Sequence, residues 1–107
     1  MIEKLQIIQQ RFDEVTDLII QPDIILDQKR YIKLNKEYKD LSVMVEKMNQ
    51  YKVLLSNQAE AEELLKGEKD EEMISMAKME IDSVKEKLPQ LEEEIKFLLI
   101  PKDPEDA

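Results

Sequence analysis

Residues 27–66 read DQKRYIKLNKEYKDLSVMVEKMNQYKVLLSNQAEAEELLK, with no proline or glycine. As one helix this stretch is roughly 60 Å long at about 1.5 Å per residue. Tyr31, Leu34, Tyr38, Leu41, Val45 and Met48 recur at steps of three and four, so they draw one apolar stripe down a helix face. The stripe weakens further on. Leu54 and Leu55 continue it, but Ala59 and Glu62 stand where large apolar residues would be needed before Leu64 and Leu65. That end is expected to pack less tightly and to fray.

A stripe of this length needs partners, and the flanking segments carry the same spacing. Ile2, Leu5, Ile8, Phe12, Val15 and Ile19 form a first seam; Met73, Ala77, Ile81, Val84, Leu88, Leu91, Ile95 and Leu98 form a third. The pattern specifies an all-α fold, an antiparallel helical hairpin or three-helix coiled-coil-like bundle around one long central helix.

Punctuation sets the boundaries. Gln21-Pro22 ends the first helix, because a residue before proline is pushed out of the α region and proline offers no N–H. Asp23 to Leu26 is a connector of about one turn, and Asp27 is an N-cap for the long helix. Gly67, the only glycine, sits where a left-handed residue is expected after a helix. Asp70 caps the next helix, with Glu71 and Glu72 at the positive end of its dipole. Pro89 falls inside that helix, and the unchanged apolar phase on both sides of it favours a kink over a break. Pro101 and Pro104 end helical structure, so residues 1–100 form the domain and 101–107 begin an acidic linker.

Composition narrows the chemistry. The 107 residues suffice for one domain or part of a longer protein. There is no cysteine for disulfide or thiolate chemistry, and no histidine for imidazole catalysis or the commonest metal ligand. No apolar run approaches a membrane span, and Met1-Ile2-Glu3-Lys4 opens directly into a helical pattern, so no signal peptide and no membrane partner are expected; cytoplasmic is the default. Glu92-Glu93-Glu94, with Asp82 and Glu86 upstream, read as a solvated face, because helical di-metal sites also place a histidine three residues from a glutamate.

The net charge of -9 is unevenly spread. Residues 1–26 hold two basic and five acidic groups, 27–67 hold eight and seven, and 68–107 hold six and thirteen. Within the one segment that is not acidic, Lys29, Lys33 and Lys36 share the side opposite Leu34 and Tyr38, with Arg30 and Lys39 nearby. This stripe is either a solvated face or a contact surface for RNA phosphate or an acidic protein. Met44, Met48, Met73, Met76 and Met79 fill the core or line an adaptable partner surface. Tyr31 and Tyr38, seven apart on the stripe, belong to seam packing more readily than to base stacking.

Two short runs carry a resemblance. Leu98-Leu99-Ile100-Pro101-Lys102-Asp103-Pro104-Glu105-Asp106 resembles the segment by which bacterial class I peptide chain release factors leave their N-terminal helical domain, where the family typically reads Leu-Leu-Pro-Lys-Asp-Pro. Asp27-Gln28 with Leu34-Asn35-Lys36-Glu37-Tyr38 and Leu41 resembles its Ser-Asp-Gln and Leu-Ser-Lys-Glu-Tyr run, Leu26 and Asn35 standing in the two serine positions. The order and lengths of the expected helices agree over the whole chain. The Pro-Lys-Asp-Pro linker is closer to the branch that reads UAA and UAG than to its UAA/UGA relative.

The resemblance implies translation termination as the parent's function, through hydrolysis of peptidyl-tRNA on the ribosome. The family's Gly-Gly-Gln loop and its tripeptide codon reader match nothing within these residues. No catalytic, cofactor-binding or metal-binding residue is therefore carried over, and neither a cofactor nor a small-molecule substrate is implied. What remains for this domain is docking near the stalk base of the large ribosomal subunit, against rRNA and protein, with a recycling GTPase release factor as a further partner. Lys29, Lys33 and Lys36 are the candidate contacts. A free-standing coiled-coil adaptor or dimerisation module would have the same seam and charge, and a helical metalloenzyme would need metal that survives dialysis.

Overall fold

The computed structural model describes residues 2–101, apart from the side chain of Ile2; the expected linker beyond Pro101 lies outside the described residues. Four helices follow in order: α1 (Ile2–Ile19), α2 (Pro22–Ile25), α3 (Gln28–Gly67) and α4 (Glu71–Leu99). No strand occurs among the described residues. The chain divides into two compact units, Met1–Met48 and Asn49–Ala107, and α3 belongs to both.

In the first unit, α1 turns its expected seam inward. Leu5 and Val15 are buried, and Ile8, Phe12 and Ile19 are half-buried. Gln21 is extended (φ -77°, ψ 136°), as a residue before proline must be, and Pro22 opens α2 where its missing N–H is harmless. The expected connector is thus a helical turn in its own right. It packs on α1 and contributes Ile24, 1% exposed and among the most buried side chains of the chain. Asp27 caps α3: its Oδ1 accepts from the Arg30 N–H at 3.3 Å and its carbonyl from the Tyr31 N–H at 2.8 Å. Met44, Val45 and Met48 are buried and Leu34, Tyr38 and Leu41 half-buried, as the stripe predicts, whereas Tyr31 lies at its exposed margin.

The second unit is an antiparallel pair. Tyr51 on α3 meets Glu92 late on α4, while Ala61, further along α3, clusters with Ala77 and Ile81 early on α4. Leu64 and Leu65 pack against that cluster. The expected stripe is corrected here: Ala59 is exposed, and the buried small residue is Ala61. The far end of α3 is held by a cluster that includes two buried alanines, Ala61 and Ala77, which a search for large apolar residues passes over. On α4, Ala77, Ile81, Val84, Leu91 and Ile95 are buried, but Met73 and Leu98 are exposed at the two ends of the seam.

Gly67 is also corrected. It is the last residue of α3, and no glycine takes a positive φ. The turn is made instead by Glu68, whose Oε1 accepts from the N–H groups of Lys69 (3.1 Å) and Asp70 (3.0 Å). Asp70 then caps α4 by accepting from the Glu72 N–H at 2.9 Å, and Glu71 and Glu72 occupy the first turn. Helix α4 runs unbroken through Pro89, which is exposed.

Candidate functional site

About two turns of α3 in the first unit bring the candidate cations together. The apolar positions Leu34, Tyr38 and Leu41 face inward, so the spacing of about 100° per residue turns Lys29, Lys33 and Lys36 outward within an arc of about 60°. All three are exposed, as are Arg30 and Lys39.

Glu37 would dilute this positive stripe if it stood among the lysines unpaired. It is drawn aside by α1. Arg11 holds it with two parallel bonds, Nε to Oε1 and Nη2 to Oε2, the second at 3.0 Å, and its remaining terminal nitrogen, Nη1, donates to Glu14 at 3.1 Å. The bond from Arg11 holds the Glu37 carboxyl below the ordinary carboxylate range, against the opposing effect of burial; the charges of Arg11 and Lys33 add to the same lowering. Asp40, one turn after Lys36, stays within the stripe and has an interaction of its own.

Beneath the pair, the rings of Phe12 and Tyr38 stack with centroids 5.3 Å apart and planes 21° off parallel. The carbonyl of each aromatic residue accepts a bond of 2.7 Å from the hydroxyl four residues on, Thr16 and Ser42 respectively. Arg11 and Phe12 are neighbours in sequence, as are Glu37 and Tyr38. The polar and aromatic contacts therefore fix the same turn of α1 against the same turn of α3 and set which face of α3 is left outward.

Sequence reasoning placed the lysines but passed over two exposed apolar residues beside them, Ile32 (59%) and Val43 (48%). Both fall off the inward stripe, which was the available signal. Tyr38 is in the seam, as expected, and Tyr31 is 37% exposed. The methionines divide: Met44 and Met48 are core, while Met73, Met76 and Met79 are exposed, so core packing does not hold for those three. Among the described residues, no group of three or more Asp, Glu, His or Cys is arranged to hold a metal, and no helix is long and apolar enough to cross a membrane.

The family model described as PCRF domain matches residues 8–107, almost the whole chain. The chain belongs to the PCRF domain family. This PCRF domain is 59% identical over 107 residues to peptide chain release factor 1 of Flavobacterium psychrophilum and 58% identical to that of Flavobacterium johnsoniae, covering all of this chain and 30% of each relative. The peptide chain release factor 1 of Bacteroides fragilis is 50% identical over 107 residues, 29% of its length. The chain thus spans less than a third of the curated relatives it matches. No solved structure matches it.

Proposed function

We propose that this PCRF domain is the N-terminal part of a peptide chain release factor of the UAA/UAG-reading type. The parent directs termination of translation by promoting hydrolysis of peptidyl-tRNA on the ribosome. The observation that carries this reading is identity of 46–59% across essentially the whole chain to eight proteins named peptide chain release factor 1. Residues 1–100 form the helical domain and 101–107 begin the linker to the rest of the parent.

The domain's own role is docking, not chemistry. With no histidine or cysteine, it lacks the commonest general base and the thiolate nucleophile. Lys29, Lys33 and Lys36 supply the docking charge, against the large-subunit stalk base and its rRNA and protein, and a recycling GTPase release factor is a further partner. Clearing Glu37 from the stripe through Arg11 supports this assignment, because a cation surface attracts a polyanion in proportion to its net local charge.

The test is charge reversal at the three lysines in the full-length parent. The expected outcome is slower association with terminating ribosomes, more at low salt than at high, since steering is screened over about 10 Å at 0.1 M. The hydrolysis rate at saturating factor stays near wild type. Unchanged association at low salt would reduce the stripe to a solvated face.

A further inference from the structure

The docking stripe on α3 leaves an independent feature of α4 unexplained. Met73, Met76 and Met79 are 40%, 61% and 68% exposed, within two turns of one helix. Met76 lies at the centre of the group: Met73 and Met79 are three residues away on either side, Glu72 and Glu80 four residues away, all on neighbouring positions of the helix surface. Both glutamates are exposed, as is Glu86.

Signs of charge are segregated around this group. Between Glu72 and Glu80 the only lysine is Lys78, which helical spacing of about 100° per residue puts on the opposite flank from Met76; Lys87, on the side of Met76, lies about three turns further along. The face is therefore apolar at its centre and acidic at its edges. Solvation alone accounts poorly for this, because glutamate or lysine forms helices about as well as methionine without exposing apolar surface. Methionine is the side chain that adapts to differently shaped apolar partners.

We propose that the Met73, Met76 and Met79 face of α4 docks a basic amphipathic helix of a partner protein. The apolar stripe of such a helix lies on the methionine side chains, and its flanking lysines or arginines meet Glu72 and Glu80. Charge complementarity selects this occupant. A nucleic acid would be repelled by the glutamates, and the same face of a second copy would set like charges edge to edge, which leaves pairing through a different face of that copy to the sedimentation test below.

The experiment titrates a fluorescein-labelled amphipathic peptide of leucine and lysine into the 107-residue chain and follows anisotropy. A scrambled peptide of the same composition keeps the charge and loses the apolar face. The amphipathic peptide binds, and the scrambled one binds roughly tenfold more weakly, the loss expected for forfeiting about one buried methionine side chain. Met76→Gln with Met79→Gln weakens binding by a similar factor, and Glu72→Gln with Glu80→Gln weakens it at low salt only. Mild peroxide supplies the same loss without substitution, since it converts exposed methionines to sulfoxides ahead of buried Met44 and Met48. Absence of binding, equal binding of the scrambled peptide, or indifference to both the double substitution and peroxide would overturn the proposal. So would sedimentation showing a dimer that the methionine substitutions dissociate.

Discussion

Arg11 on α1 and Glu37 on α3, 26 residues apart, meet guanidinium edge to carboxylate edge in two parallel bonds. Their side chains remain 40% and 35% exposed, so water screens the pair and its contribution to stability is at most about 1 kcal/mol. Its value lies in geometry: one rotation of α1 about its own axis satisfies the pair, and that rotation also stacks Phe12 on Tyr38.

This pair has a defined pH signature. Glu37 has a folded-state pKa below its ordinary value of 4.5, so the folded form binds its proton less readily than the unfolded chain. Stability from the pair is complete above about 4.5 and is lost as pH falls through the lowered folded value. Glu37→Gln should therefore be less stable than wild type in urea unfolding at pH 7, with the difference closing as the solution is acidified below that point. A difference independent of pH would assign the effect to packing.

Ile24 and Leu26 provide a matched comparison. They lie two residues apart, one 1% and the other 86% exposed. Ile24→Ala should cost about 2 to 5 kcal/mol and Leu26→Ala within about 0.5 kcal/mol, read from denaturant midpoints. Equal costs would mean that α2 does not dock as described.

Leu91 is 6% exposed and Leu41 only half-buried. Truncation of Leu91 to Ala should fall in the range of about 2 to 5 kcal/mol, and that of Leu41 should cost less, because a site open to water keeps part of its solvation and collapses more readily. The order of the two thermal midpoints checks this.

Gly67→Ala should stabilise the chain by about 0.4 to 1 kcal/mol, through reduced freedom of the unfolded state. Gly67 has no positive φ and a Cβ there meets nothing within 4 Å, so the substitution carries no opposing strain. A lowered melting temperature would show that the residue needs glycine's freedom after all.

Pro89→Ala should leave the fold intact and raise the melting temperature, since α4 is already helical through this position and the variant restores the N–H that can reach the Lys85 carbonyl. Helical content by circular dichroism should be unchanged or slightly higher. Insoluble protein would mean that the proline shapes the packing.

The helices, their caps and most of both seams were legible in the sequence because they follow from period and punctuation. What escaped was decided by contact. Ile24 looked like part of a connector, since one turn is too short to show a period, yet docking on α1 buries it. Ala61 escaped because a buried alanine carries little hydrophobic signal, and Ala59, two residues before it, is the same residue type on an exposed face. Residue type alone marks Gly67 as left-handed, but a carboxylate supplied by Glu68 closes the same turn without a left-handed residue. The lysine stripe was visible as a charge pattern. Its clearance by Arg11 was not, because that depends on a residue far away in sequence.

The turn at residues 68–70 also sets an order of assembly for the second unit. Only three residues separate α3 from α4, so the contacts nearest the turn, among Ala61, Leu64, Leu65 and Ala77, close the shortest loops. The meeting of Tyr51 with Glu92 closes 41 residues. Each contact made near the turn shortens the slack remaining for the next, and the entropic cost of closure is met in small steps. The hairpin is therefore built to zip from the Glu68 and Asp70 end outward. Substitutions at Ala61 or Ala77 should slow folding, and those at Leu91 or Ile95 should instead speed unfolding.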